Sequence, residues 1–320
     1  MRRRLLLGAA TAALAPATAR AQAWAPSRPV RIIVPFAAGG VADLTVRTVG
    51  GRLAEHIGQP VVVDNRPSAG GIVAAQQLMG AAPDGHTLLT TTNGTAISRG
   101  LFRTLPYDPL RDLAHIAILG AFPIAVVVAP GGARDMGALL ARLRAEPGKL
   151  NIGTIAAGST QNLSAELFKM RTGARFETIT FPATPQLMTA LLRGDVDAAF
   201  EITGPIKGQL ESGAVRALAV TSAARASTLP EMPTLREAGV PDYDVASWNA
   251  LSVRAGTAPE AIAFLNRAVN EVLAEPATRE TLTRSGVEVR GGPPEALRDL
   301  LAQDTARWAE VIEKAGIERQ

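Results

Sequence analysis

The residues best suited to binding chemistry lie in a turn near the N-terminus. The apolar run 32–34 predicts a buried strand, which Pro35 ends because proline has no backbone amide hydrogen to donate. Apolar residues recur at helical spacing from Leu44 onward. Directly after Phe36, the four residues Ala37, Ala38, Gly39 and Gly40 have almost no side chain, so the backbone between strand and helix lies open. Free amides at a helix N-terminus favour an anion there, although a turn shaped only for geometry would have the same pattern.

A second turn of the same design follows the segment 150–154. It contains Ala157, Gly158, Ser159 and Thr160, and a helical pattern begins directly afterwards. The hydroxyl of Ser159 or Thr160 can cap that helix or donate to a ligand. Because Gly158 stands beside two hydroxyl residues, ligand contact is the favoured interpretation of this turn.

Polar residues also follow two further predicted strands. The strand over 61–63, predicted to be buried, leads into the small and polar segment 64–71, and the strand over 87–92 ends at Thr92, Asn93 and Thr95. Open α/β sheets bind ligands outside the carboxyl ends of their strands. Together with the first turn, these strand ends predict a ligand site at one edge of a sheet.

The sequence lacks the motifs of the common catalytic classes. It has no cysteine, no glycine-rich cofactor or phosphate loop and no serine-hydrolase elbow. His56, His86 and His115 are far apart and are interpreted as surface residues, so neither a metal site nor a cofactor is predicted. Asp195 and Asp197 resemble an acid–base pair, although a turn and a strand entry explain them more simply. An enzyme is the weaker hypothesis, with a secreted hydrolase using these aspartates as the alternative.

The segment 1–23 predicts a secretory signal peptide. Three arginines at 2–4 precede an apolar run over 5–15, and small residues at 19–23 suit cleavage. The apolar run is too short to span a bilayer as a mature helix. The arginines also resemble a twin-arginine signal, so both the Sec and the twin-arginine routes to the periplasm stay open.

Removal of this peptide changes the net charge. The whole chain has 33 Lys and Arg against 29 Asp and Glu, and four of the arginines lie in 1–23, which leaves 29 against 29. Binding of nucleic acid requires a concentrated basic face, so no nucleic-acid partner is predicted. Strand and helix patterns alternate along the remaining chain, which predicts an α/β fold long enough for two domains.

A series of short motifs runs in order along the mature chain. They occupy 29–40 (PVRIIVPFAAGG), 65–71 (NRPSAGG), 82–85, 105–109, 147–151, 165–168, 216–222, 233–239 and 265–266. Any one of these motifs is weak, but the ordered set is specific. The chain resembles the extracytoplasmic solute receptors of the tripartite tricarboxylate transporter system, the Bug proteins.

This resemblance implies the two-domain, type II-like fold of a periplasmic binding protein, with a ligand cleft between domains joined by two crossover strands. Domain 1 would comprise about 24–121 and 247–320, and domain 2 about 122–246. The implied function is non-enzymatic: a monomer that closes around a small carboxylate and delivers it to membrane permease subunits. A ligand-sensing protein that signals to a membrane sensor kinase would have the same features, and the sequence does not separate the two roles.

The resemblance also assigns the ligand-binding residues. The ligand carboxylate would sit on the turn 36–40, with Thr92, Asn93 and Thr95 nearby, and would face the second turn, Ala157, Gly158, Ser159 and Thr160.

Two positions depart from the family pattern. Before Asp43, which is assigned to the site, the family usually has Gly-Thr or Gly-Ser, whereas this chain has Val41 and Ala42 and so loses one hydroxyl donor. Glu201 replaces the usual aspartate. Its longer side chain would reach into the cleft towards a cation or hydroxyls of the ligand, or it would be a solvated loop carboxylate.

Overall fold

The computed structural model describes residues 24–320, so the predicted signal peptide lies outside the described residues. The strands are β1 (Val30–Val34), β2 (Val61–Asn65), β3 (Thr87–Thr92), β4 (Leu113–Val128), β5 (Asn151–Ile155), β6 (Glu177–Phe181), β7 (Ala198–Ile202), β8 (Arg216–Val220), β9 (Ala246–Arg254) and β10 (Glu288–Val289). The helices are α1 (Val41–Ile57), α2 (Ile72–Met79), α3 (Asn93–Leu101), α4 (Met136–Ala145), α5 (Thr160–Thr172), α6 (Thr184–Arg193), α7 (Lys207–Glu211), α8 (Pro259–Ala274), α9 (Pro276–Arg284) and α10 (Pro294–Lys314).

The strands form a mixed sheet in which each parallel set lies beside a long antiparallel strand. The order is β2-β1-β3-β9-β4-β7-β5-β6, and β8 and β10 also pair with β4. β1 runs parallel to β2 and β3, and β5 runs parallel to β6 and β7. The α/β fold predicted from the alternating pattern is therefore confirmed.

β4 divides the sheet into two lobes. Its first part pairs with β9 and β10, whereas residues 124–128 pair with β7 and β8. We call β1–β3, β9, β10 and the first part of β4, with α1–α3 and α8–α10, the first lobe. The second lobe comprises residues 124–128 of β4, β5–β8 and α4–α7. The domain boundaries expected from the sequence stay a prediction.

One apolar face fixes α1 against the sheet. Val46, Val49 and Leu53 recur at helical spacing and are fully buried in one cluster with β1. This packing aims the N-terminus of α1 at the carboxyl end of β1, where the first turn lies. By contrast, β2 is at the edge of the sheet and Val62 is 51% exposed, so the prediction of a buried strand there is wrong.

Candidate functional site

The turn after β1 is held by one buried carboxylate. Asp43 Oδ2 accepts a hydrogen bond from the Gly39 amide at 2.9 Å, and both of its oxygens accept from Arg47 Nε. Asn65, at the end of β2, donates Nδ2 to Asp43 Oδ1 at 2.8 Å and to the Phe36 carbonyl at 3.0 Å. Gly39 has φ 89°, a conformation that glycine adopts without strain. Two neighbouring strand ends therefore fix the shape of this turn.

Asp43 is directed into the protein. Its burial raises the pKa of the carboxyl, but the hydrogen bonds from Arg47, Gly39 and Asn65 outweigh this and hold the pKa below its ordinary value of 3.8. Asp43 is therefore ionised at neutral pH, with its acceptor positions used by protein donors. Its side chain positions the turn, and the predicted contact between Asp43 and a ligand stays a prediction.

The carboxyl ends of β1, β2 and β3 meet around a small cavity of about 80 Å³. Its lining includes Phe36, Ser68, Gly70, Thr90, Thr92, Thr95 and Tyr107. This convergence is the arrangement predicted from the small and polar strand ends. The cavity is smaller than the ~300–1,000 Å³ of a typical small-molecule site, so it holds at most one end of a ligand.

Three threonine hydroxyls in this cavity have a hydrogen to donate. Thr92 Oγ1 accepts from the Gly94 amide, and Thr95 Oγ1 accepts from the Thr92 amide, each at 3.1 Å, which caps α3. Both oxygens act only as acceptors in these bonds. Thr90 Oγ1 is fully buried and has no hydrogen-bond partner among residues 24–320. A buried hydroxyl without a partner is costly, so the arrangement favours an acceptor in the cavity.

Sequence reasoning missed several residues that line the cavity. The sequence pattern assigns Thr90 only to a strand, although a polar residue inside an otherwise buried strand can indicate a site. Ser68 and Gly70 lie in the segment 64–71, which the sequence places at the ligand edge, but neither residue is singled out there. Tyr107 lies in the motif 105–109, which carries the family resemblance without indicating a ligand contact.

Asn93 lies beside the cavity but faces elsewhere. Its Nδ2 donates to the Ala246 carbonyl at 3.1 Å, and its Oδ1 accepts from Trp308 Nε1 at 2.7 Å. Both ends of the amide thus join the start of α3 to β9 and α10. Asn93 has a positioning role and is not among the residues that line the cavity, so its contact with a ligand stays a prediction.

The second turn is held by a neutral amide. Asn162 Oδ1 accepts from the Gly158 amide at 3.0 Å, and its Nδ2 donates to Thr154 Oγ1 at 3.3 Å. Ser159 Oγ accepts from the Asn162 amide at 3.1 Å and donates to the Ile155 carbonyl at 3.0 Å. The Ser159 hydroxyl therefore caps α5, and its hydrogen is already used, so the capping alternative holds for this side chain.

The rest of the second turn lies close to the first lobe. A Cβ added at Gly158 would come within 2.8 Å of Leu101 Cδ2, at the end of α3. Ala157 is exposed, and Thr160 is buried at the first position of α5. The contact between Ala157, Gly158 or Thr160 and a ligand stays a prediction.

Glu201 is fully buried on β7, so its interpretation as a solvated loop carboxylate is wrong. It accepts hydrogen bonds from Gln161 Nε2 at 2.8 Å, Thr184 Oγ1 at 2.9 Å and the Ile202 amide at 2.7 Å. Burial raises the pKa of Glu201, and these three donors only partly oppose that effect. Glu201 is therefore a buried acid at the carboxyl end of a strand, without a cationic partner among the described residues.

The other polar residues singled out from the sequence lie away from this edge. Asp195 and Asp197 precede β7 and so lie at its amino end, where Asp197 accepts from the Asn151 amide at 3.0 Å. His86 and His115 are buried, so the prediction that they are surface residues is wrong. Burial, with the nearby charge of Arg298, lowers the pKa of His115 to about 4.

Comparisons with known proteins agree on one family. The model of the tripartite tricarboxylate transporter family receptor matches residues 45–317. The protein BugT of Bordetella pertussis is 35% identical over 294 residues, which cover 91% of this chain and 90% of that protein.

Two solved structures share both sequence and fold with this chain. Rpa4515 of R. palustris, solved with adipate, is 34% identical with a TM-score of 0.78, covering 92% of this chain and 99% of that one. MatC from Rhodopseudomonas palustris, solved with bound malate, is 30% identical with a TM-score of 0.74, covering 90% and 99%. These likenesses confirm the predicted two-domain fold of a periplasmic binding protein. Within residues 24–320, no helix has the length and apolar character needed to span a membrane.

Proposed function

The chain belongs to the tripartite tricarboxylate transporter receptor family, whose members are periplasmic solute-binding receptors and not enzymes, and we propose that it captures a dicarboxylate between its lobes for delivery to a membrane permease. The relatives solved with adipate and with malate both hold dicarboxylates, which supports this ligand class. The export of the chain by a cleavable signal peptide, by the Sec or the twin-arginine route, and its action as a monomer are part of the same proposal.

The set of free hydroxyl donors at the end of β3 is the observation that supports this proposal. Thr90, Thr92 and Thr95 line a cavity beside the turn 36–40, and none of their hydroxyl hydrogens is donated in the bonds described above. One carboxylate of the ligand would bind the amides of the turn and these hydroxyls. Bonds to an ionised acceptor are about twice as strong as neutral ones, and burial strengthens them further.

The second lobe would complete the site on closure. Ala157, Gly158 and Thr160 would contact the far end of the ligand, and Glu201 would select for its hydroxyl groups. Ligand binding shifts the balance between open and closed forms only as far as the ligand prefers the closed one. The domain boundaries near 121 and 246 would then be the hinge of that motion, within β4 and at the start of β9.

A thermal-shift experiment tests the carboxylate assignment. Adipate, malate and the neutral diamide of adipate are each added to the purified protein. A ligand at about a hundred times its Kd adds about 2.7 kcal/mol of stability, enough to raise the Tm by several degrees. Stabilisation by an acid but not by the diamide supports the proposal, whereas stabilisation by the diamide alone contradicts it.

A pair of neighbouring variants locates the site. Thr90→Val removes a hydroxyl that has no partner among residues 24–320, so it should weaken acid binding roughly tenfold without loss of stability. Thr91→Val is the matched control, because the Thr91 hydroxyl bonds Ser252 Oγ at 3.1 Å and does not line the cavity. It should lower stability and leave affinity unchanged.

Uptake of the labelled acid by cells tests delivery. A strain lacking this protein should lose high-affinity uptake and regain it with the wild-type chain. Continued uptake together with loss of an acid-induced transcriptional response would instead indicate signalling to a sensor kinase.

A further inference from the structure

A second concave surface lies between the two lobes, and its lining differs from that of the cavity at the ends of β1–β3. It is a groove of about 510 Å³, a size typical of small-molecule sites. One wall is α9 of the first lobe, and the other is formed by the second lobe around α7 and residues 228–229. The groove shares no lining residue with the smaller cavity.

Two threonines that line this groove have hydroxyls without a hydrogen-bond partner among residues 24–320. Thr203 is 4% exposed, and its Oγ1 has no hydrogen-bond partner among residues 24–320. Thr228 Oγ1 is also buried and unpartnered within the same residues. Both threonines line the groove. Buried polar atoms normally have partners, so these two hydroxyls point to an occupant with hydrogen-bonding atoms.

The charges around the groove indicate the sign of that occupant. Lys207 lies 3.8 Å from Glu211, and Arg284 lies 3.2 Å from Glu280, so two cations already have acidic partners. Arg279 has no carboxylate within salt-bridge distance in the described part of the chain, and its one side-chain bond is to the Leu273 carbonyl at 3.4 Å. Its guanidinium is therefore available to an anion.

Apolar side chains complete the lining. Leu210 and Leu229 face the same groove, across from Arg279. We infer that this groove is a second ligand site, which takes a monocarboxylate with an apolar body. The carboxylate would accept hydrogen bonds from Thr203, Thr228 and Arg279, and the apolar body would pack on the two leucines.

Because the groove lies between the lobes, a ligand in it would affect how the two lobes are arranged. At its base the lobes touch: a Cβ at Gly286 would lie 2.8 Å from Gly204 Cα, and Lys207 Nζ donates to the Arg284 carbonyl at 3.1 Å. An occupant that contacts both walls stabilises this arrangement of the lobes. Its binding would couple to the ligand in the cleft, as linkage requires when two ligands favour the same conformation.

Methyl NMR with benzoate as the probe tests this inference. Leucine, valine and threonine methyl groups are labelled, and benzoate is compared with neutral benzamide. Benzoate should produce saturable shifts at Leu210, Leu229 and Thr203, and benzamide should not. Arg279→Gln should raise the Kd for benzoate roughly tenfold or more, because it removes a charge-assisted donor.

Two further variants control the experiment. Arg193→Gln removes an exposed arginine from α6, outside the groove, and should leave the Kd unchanged. Thr203→Val, which keeps the size of the side chain, should raise the Kd severalfold and preserve the fold.

Three results would overturn the inference. They are shifts confined to Leu89 in the small cavity, equal shifts with benzamide, and a Kd that Arg279→Gln does not change. None of these results depends on whether adipate or malate binds, so the inference about the groove can be wrong while the proposed function is right.

Discussion

The two turns of the molecule have the same geometry and different chemistry. Each contains Ala-Ala-Gly, at 37–39 and at 156–158, and each glycine has positive φ, 89° at Gly39 and 76° at Gly158. In each, the glycine amide donates to the side chain four residues later, at 2.9 Å to Asp43 and at 3.0 Å to Asn162. The first turn is thus held by a charged acceptor and the second by a neutral one.

The helix caps differ in the same way. Gly40 precedes α1 without any side-chain cap, whereas Ser159 caps α5 through its hydroxyl. The first turn therefore keeps more of its amides free for an anion, and the second turn has already satisfied one of them. The comparison favours binding of the ligand carboxylate at the first lobe, with the second lobe closing over the ligand.

The neighbouring strands extend the correspondence. Ile33, six residues before Gly39, pairs with Leu89, and Ile152, six residues before Gly158, pairs with Ala198. Thr92 lies three residues after Leu89, and Glu201 lies three residues after Ala198. The two residues therefore occupy equivalent positions in the two lobes. One lobe therefore has a hydroxyl donor at this position, and the other has a buried acid.

Removal of the two acceptors should have the largest effects. Asp43→Ala removes one shared acceptor from Gly39, Arg47 and Asn65 and should lower the unfolding free energy by about 3 kcal/mol. Asn162→Ala removes only neutral bonds and should cost about 1–2 kcal/mol. Urea unfolding of both variants measures the difference. Equal losses would show that the charge of Asp43 adds nothing to the first turn.

Acid should weaken the first turn and spare the second. The pKa of Asp43 is below 3.8 in the folded protein, so the unfolded state takes up the proton first as the pH falls. The stability from its ionised form is present above that ordinary value and is lost as the pH falls through the folded pKa. The difference in unfolding free energy between wild type and Asp43→Asn should therefore be constant well above pH 3.8 and narrow as the pH falls below that value. A difference that does not narrow below pH 3.8 would contradict the assignment.

Glu201→Gln should stabilise the protein at neutral pH. The pKa of Glu201 is raised by burial, so its ionisation costs stability as the pH rises above the ordinary value of 4.5. Glutamine keeps an acceptor for Gln161 and removes the charge, which should add on the order of 1 kcal/mol at pH 7. This gain should shrink as the pH falls below 4.5, where the acid becomes neutral in the unfolded state as well. Destabilisation at pH 7 would show that the three donors outweigh the burial of the charge.

The parts of the site that the sequence predicted are local. β1, its turn and the start of α1 follow from a β-branched run, a proline and small residues that are adjacent in the chain. The supporting contacts are long-range: Asn93 bonds Trp308, which is 215 residues away, and Asn65 reaches Asp43 from another strand. No local pattern distinguishes the buried Glu201 from a loop carboxylate, because its burial depends on helices α5 and α6 that supply Gln161 and Thr184. An apolar run has the same sequence pattern at the edge and in the centre of a sheet, so the pattern predicts a buried strand at β2 although β2 lies at the edge.

Of these substitutions, Gly40→Ser should have the smallest effect on the unfolding free energy, and its effect on acid binding tests where the ligand carboxylate binds. The position has φ −78°, and the nearest atom to an added Cβ is 4.0 Å away, so serine fits without strain. It would give the first turn the cap that Ser159 gives the second, with a gain of a few tenths of a kcal/mol, roughly the difference between glycine and serine caps. The new hydroxyl would compete with a ligand carboxylate for the same amide, so acid binding measured by calorimetry should weaken. Ser159→Gly is the converse control, which should lower stability slightly and leave the first turn unchanged. If Gly40→Ser binds the acid as tightly as wild type, the uncapped amides of α1 are not the seat of the carboxylate, and the two turns differ in chemistry without differing in role.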